Sequence, residues 1–423
     1  MSYKKKNTLK IDKYNVLVVY GREQKNIRKT IEDSIFCFGK YSPDNINIFY
    51  YSYRSDINFD TILTRINFDI IIFHSILMCY RWHWTKKEWE KNINRIRQFS
   101  KGSVKAVFVQ DENRYTNKVI QFINSVGIDI IFTAANLNTA KVLYPEDRVK
   151  VKKIEQVLTG YVDSCTFNTV KKIANKEKIK RDIDIGYRAD TTPFSLGFQG
   201  RLKTLIPEIV NKKLEDYPDL KTDICNTYGD KNTFYGMDWF RFMLRCRTMI
   251  SCMGGSSLHD PDGKIEKGVN DYLKKKRKAT YEDVNKDILQ IYASPLDYTA
   301  ISPRCFEAAM AKTCQILIEG DYAGIFKPNV HYIELKKDFS NLDEVLSKVK
   351  DKKLCEKIAQ HAYKDIIQSG KYTYENYVQH IFEVILPFVK KKQKIKKIQM
   401  IFINILLKVN NYLVDNRIIV SDT

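Results

Sequence analysis

The sequence predicts an α/β protein with two domains, each built around a parallel sheet. Three observations lead there. From Tyr14 onward, short apolar runs rich in β-branched residues alternate with polar stretches of helical period. Those runs are apolar throughout instead of at every second residue, as strands covered on both faces are. The pattern then restarts near Ile183 after a charged interruption, and 423 residues suffice for two such units.

In the first unit the strands are read at 15–20, 46–51, 68–73, 105–109 and 129–132, with helices at 89–99 and 118–126 among the connections. The segment 151–162 reads as an apolar strand that ends in a turn at Gly160. A charged run at 171–181 is a linker or an exposed helix, so the domains are expected to divide between about 163 and 182. This gives a first domain over 1–165, a second over 182–385 and a basic tail over 386–423. The second unit continues with strands at 183–188, 222–225 and 249–253 and helices at 201–214 and 239–244. The region 260–290 is polar and reads as an insertion.

Parallel sheets place functional loops at the carboxyl ends of their strands. Asp111 and Glu112 follow the fourth strand and His74 follows the third, so all three are expected to face the cleft between the domains. A carboxylate or imidazole there can remove a proton from a hydroxyl, and Asp111 is the preferred candidate. The loop Met253-Gly-Gly-Ser-Ser257 follows a strand, and its backbone around Gly255 and Ser256 can cradle a phosphate or contact a sugar. Its neighbour His259 is a further hydrogen-bond donor. Asp260-Pro-Asp262 has the spacing of a cation chelate but also the composition of a turn, and the turn is favoured. No metal site is expected.

Composition narrows the class. The 71 Lys and Arg against 50 Asp and Glu leave +21, which draws polyanions: nucleic acid, an anionic membrane surface, or phosphate-bearing substrates. The nine cysteines are scattered, with neither a disulfide framework nor zinc spacing. The first 14 residues are polar and Lys-rich, no signal peptide is read, and no apolar run reaches membrane-span length. The expectation is a soluble cytoplasmic protein. At the carboxyl end, six lysines between 390 and 397 precede an apolar-rich helical pattern, a composition suited to lying on the inner face of an anionic membrane. The basic residues do not interleave with aromatics in a ribonucleoprotein motif, which argues against nucleic acid.

The stretch 301–324 carries the most chemistry. Ser302 is a good N-cap and Pro303 suits the first helical position. Arg304 falls in that first turn, where acidic residues are preferred, and so points to an anion nearby. Glu307 lies one turn further along the same side, placed to accept hydrogen bonds from a sugar diol.

Phe306-Glu307-Ala308, the small-residue helix and strand after it, and Phe326-Lys-Pro-Asn-Val-His-Tyr-Ile333 resemble the carboxyl-terminal domain of GT-B glycosyltransferases, closest to the CgeB-like group. The stretch 338–345 and a helix at 352–367 with a stop at Gly370 add to the resemblance. It implies two Rossmann-like domains whose parallel sheets face one another across a cleft, and a nucleotide-sugar donor, with no other cofactor. It also implies that Glu307 holds the ribose and that 302–305 faces the donor diphosphate. Arg188, at the end of a strand, and Lys203, in the helix start after Gly197 and Gly200, match the place where such enzymes clamp the pyrophosphate. Many retaining members carry a second Glu eight residues upstream of this one; here that position is Thr299, which leaves the anomeric outcome open. The function implied is metal-independent transfer of a hexose-like sugar to a hydroxyl of a surface glycan or lipid-linked acceptor. The alternatives are a sugar-nucleotide epimerase of the same layout and a non-catalytic basic protein that binds nucleic acid or membrane.

Overall fold

A computed structural model describes residues 13–21, 28–52, 66–82, 85–226 and 232–390. The basic tail beyond 390 lies outside these residues.

The described residues form two parallel sheets. The first comprises β1 (Tyr14–Tyr20), β2 (Ile46–Ser52), β3 (Ile70–Phe73), β4 (Val104–Val109), β5 (Ile130–Thr133) and β6 (Lys153–Gln156), in the order β2-β1-β3-β4-β5-β6. The second is built from β7 (Ile183–Arg188), β8 (Thr222–Cys225), β9 (Cys246–Ser251), β12 (Cys314–Ile318) and β13 (Tyr332–Leu335), in the order β13-β12-β9-β7-β8. An antiparallel ribbon of β10 (Gly254–Leu258) and β11 (Ala293–Ala300) projects from the second half. The strands lie where the apolar runs place them because β1, β3, β4 and β5 are covered on both faces. Val16, Val18, Ile70, Ile72 and Ile130 pack into one layer, while Leu17, Val19, Ile71, Phe73 and Ile131 pack into the other.

The charged run at 171–181, read as a linker or an exposed helix, falls largely within a helix, Ser164–Glu177, started by Asp163, whose carboxylate accepts from Thr166 N at 2.8 Å. One segment departs from the sequence expectations. Helix Tyr374–Ile385, expected within the second domain, packs on the first sheet instead. Its stripe of Val378, Ile381, Phe382 and Ile385 joins Phe38, Phe108 and Phe132 in a single core layer.

The polar region 260–290 is a small lobe. Helices Lys264–Lys275 and Tyr281–Asp287 close on Ile265, Val269, Tyr281, Val284 and Leu289. The lobe also reaches the first half through backbone hydrogen bonds: Asp260 N to Asn113 O at 2.7 Å, Tyr115 N to Asp260 O at 2.8 Å and Asn117 N to Pro261 O at 3.2 Å. Among the described residues no helix is long and apolar enough to cross a membrane.

Candidate active site

The carboxyl ends of β3 and β4, the start of helix Lys29–Tyr41 and the carboxyl ends of β7 and β9 open onto one cavity of about 330 Å³. Both halves line it: Arg28, Thr30, Ser34, Ser75, Gln110 and Thr159 from the first, and Arg188, Asp190, Lys203, Trp239, Arg304 and Glu307 from the second. The halves approach closely at Gly160, where an added Cβ would lie 2.8 Å from Pro303 Cβ. Only a glycine leaves room for the start of helix Pro303–Met310 at that point.

That helix begins as the sequence implies. Ser302 is its N-cap, with Oγ accepting from Arg304 N at 3.4 Å, and Pro303 opens the first turn. Ser302, Pro303, Arg304 and Glu307 all line the cavity. The Arg304 guanidinium lies 5.1 Å from the centroid of the Trp239 ring, a contact that positions the cation without neutralising it. Lys203 lines the same wall, and only its backbone carbonyl is engaged, accepting from Tyr187 OH at 2.7 Å. Among the described residues neither Lys203 nor Arg304 forms an ion pair at contact distance.

Glu307 is buried and both carboxylate oxygens are held. Trp239 Nε1 donates to Oε2 at 2.8 Å, and Thr30 Oγ1, from the first half, donates to Oε1. Burial raises its pKa, partly offset by these two hydrogen bonds and by Arg304. A carboxylate offers about four acceptor positions, so two remain for a ligand.

Other expected residues are placed differently. Arg188 lines the cavity but is committed internally. It pairs with Asp223 at 2.6 Å, donates to the carbonyls of Tyr187 and Asp223, and lies 4.5 Å from the Phe242 ring centroid and 5.2 Å from that of Phe234. Gly254, not Gly255 or Ser256, lines the cavity. Ser256 Oγ accepts from Leu258 N and donates within its own turn, while Gly255 has φ +109 and backs onto Tyr298 O. In Asp260-Pro-Asp262, Asp260 Oδ2 accepts from Glu266 N at 2.9 Å and Asp262 Oδ1 accepts from Asn117 Nδ2 at 2.5 Å; the turn joins the lobe to the first half. His259 Nε2 pairs with Thr116 Oγ1 at 2.9 Å in the same joint.

None of the three expected proton acceptors lines the cavity itself; His74 lines a small recess beside it that shares Ser34, Ser75, Gln110 and Thr159 with the cavity. Glu112 is buried behind it, its carboxylate accepting from Thr133 Oγ1 at 2.6 Å, Tyr144 OH at 2.9 Å and Ala135 N at 3.2 Å. Burial outweighs these donors and pushes its pKa up to about 7. His74 is also buried; its Nδ1 accepts from Ile76 N at 3.2 Å as a helix cap, and burial lowers its pKa to about 4. Asp111 is exposed outside the cavity lining, in a left-handed turn (φ 51) whose carbonyl accepts from Arg81 Nη2 at 2.5 Å. The strand ends were assigned correctly, but the strand twist and local turns direct these side chains elsewhere.

A structural comparison matches the chain to sucrose-phosphate synthase from Thermosynechococcus elongatus, at 7% identity and a TM-score of 0.51, covering 89% of this chain and 99% of that one. It also matches an α-glucosyltransferase solved with UDP-glucose and DNA containing an abasic site, at 10% identity and a TM-score of 0.50, covering 88% and 99%. The chain has a GT-B fold. No protein-family model and no curated protein matches it. In GT-B terms, the cavity lies between the two sheets, with Lys203, Arg304 and Glu307 on the second half. Thr30 and Trp239, which sequence reasoning missed, complete the Glu307 environment. A buried indole N–H needs an acceptor, but nothing in the sequence indicates which.

Proposed function

We propose that this protein is a glycosyltransferase that takes a sugar from a nucleotide-sugar donor and delivers it to an acceptor hydroxyl. The observation that carries this is the meeting, in one cavity between the sheets, of two cations that form no ion pair among the described residues (Lys203 and Arg304), the start of helix Pro303–Met310 and the buried Glu307. In this reading Lys203 and Arg304 bind the diphosphate. They hold its charge as it grows on the leaving group. Glu307 accepts from the ribose hydroxyls. The α-glucosyltransferase complex with UDP-glucose supports beginning with uridine donors.

The finer parts of the proposal are that transfer needs no divalent ion, that the sugar is a hexose, and that the acceptor is a surface glycan or a lipid-linked molecule met at the inner face of a membrane. Turnover is expected to persist in EDTA; loss restored only by magnesium or manganese would overturn metal independence. Calorimetric titration of UDP-glucose, with other nucleotide-sugars in parallel, tests the donor site itself. Glu307→Ala is expected to weaken the donor by roughly 1.5–3 kcal/mol, the range for a hydrogen bond to a charged group. Arg304→Ala should weaken UDP as much as UDP-sugar, because its partner is phosphate. Unchanged affinity in both folded variants would overturn the donor site. Product formed without any acceptor would instead favour an epimerase.

A further inference from the structure

One cationic feature of the described surface lies apart from the cations that line the cavity. Helix Lys264–Lys275 ends in the run Lys274-Lys-Lys-Arg-Lys278, and all five residues are exposed. Lys274 meets Asp271 at 3.3 Å and Lys276 meets Asp287 at 3.3 Å. Lys275, Arg277 and Lys278 form no ion pair among the described residues, nor does Lys286 on the following helix. Lys276, Arg277, Lys278 and Lys286 line an open recess of about 570 Å³ between the two helices, together with Tyr272, Asp283 and Asp287. Four residues past Asp287, on the same lobe, Ile291 is 82% exposed and Tyr292 is 39% exposed. The lobe leaves the second half at Gly254, a cavity-lining residue, and returns at Ser302, the cap of the Arg304 helix.

We propose that this lobe is a docking surface for an anionic lipid membrane, with Lys275, Arg277, Lys278 and Lys286 meeting the headgroups and Ile291 entering the interface. Unpaired cations beside an exposed aliphatic side chain match an anionic bilayer, where charge and apolar burial act together. A nucleic acid would use the cations but leave Ile291 in water. Docking here would bring the cavity to a lipid surface whichever sugar is transferred, and the inference does not depend on the tail beyond 390.

The test uses the full chain and phosphatidylcholine vesicles with and without phosphatidylglycerol. The combined variant Lys275→Gln, Arg277→Gln, Lys278→Gln should partition on the order of tenfold to a hundredfold less at low salt, with the difference shrinking as salt rises. Ile291→Ser should reduce the binding that persists at high salt. All four positions are exposed, and matched melting curves check that folding is intact. A parallel variant, Lys391→Gln, Lys392→Gln, Lys394→Gln, separates the lobe from the tail. Equal pelleting of parent and lobe variant, loss confined to the tail variant, or equal pelleting on neutral vesicles would each overturn the proposal. So would single-stranded DNA binding that falls in the lobe variant while vesicle binding does not.

Discussion

His74 and Glu112 follow neighbouring strands, and burial moves their proton affinities in opposite directions. His74 is held to about 4 against an ordinary 6.5, so the unfolded chain binds its proton more readily. Its stabilising contribution is complete above pH 6.5 and is lost as pH falls towards 4. Glu112 is held up at about 7 against 4.5, so its contribution is complete below pH 4.5 and is lost as pH rises through 7. The two slopes oppose one another across the weakly acidic range. His74→Asn, which keeps a capping acceptor, removes one of them. Its stability deficit relative to the parent should shrink by up to about 3 kcal/mol as pH falls from neutral towards 4, read by urea unfolding at several pH values. A deficit independent of pH would contradict the assignment. Residue-scale legibility follows the same division between local and distant partners. Ser302, Pro303 and Arg304 could be read because capping is decided within one helical turn. The Glu307 environment could not, because its partners Trp239 and Thr30 lie 68 and 277 positions away.

Among elements, the buried strands of the two sheets were the most legible, since a strand covered on both faces writes a continuous apolar run. The lobe was the least legible. Its helices share a core of a few side chains, so the apolar signal is thin, and 260–290 reads only as polar. The ribbon that carries the lobe depends on Gly255. At φ +109 a side chain is strained, and its Cβ would stand 2.1 Å from Tyr298 O. Gly255→Ala should therefore destabilise the protein by roughly 2 kcal/mol or more, in the range for forced backbone strain with a steric clash. Thermal unfolding checks this, and hydrogen exchange should localise the damage to β10, β11 and the lobe. A melting curve equal to the parent's would show that the ribbon can shift to accept a methyl group.

At the scale of the whole molecule, the last described helix secures the first half, although it follows the second in sequence. Phe382 is buried against Phe38, with ring centroids 6.3 Å apart. Phe382→Ala is expected to cost about 3–5 kcal/mol, the range for a truncated core aromatic. Faster amide exchange should appear in β1 and helix Lys29–Tyr41 before it appears in β7 or β12. Exchange rising uniformly in both sheets would mean that the halves unfold as one unit. The amphipathic period of this helix was readable, but not which of two similar sheets would receive it.

That returning helix also means the backbone passes between the halves twice, and the passages are joined. Val162 N donates to Tyr372 O at 2.8 Å, and Tyr374 N donates to Val162 O at 3.0 Å. A single flexible tether would let the halves twist, slide and tilt independently. Two strands bonded side by side resist twisting and sliding, and leave bending across the pair as the soft direction. Any widening of the cavity has to bend this pair and also part the bonds by which the lobe holds the first half at Asn113, Tyr115 and Asn117.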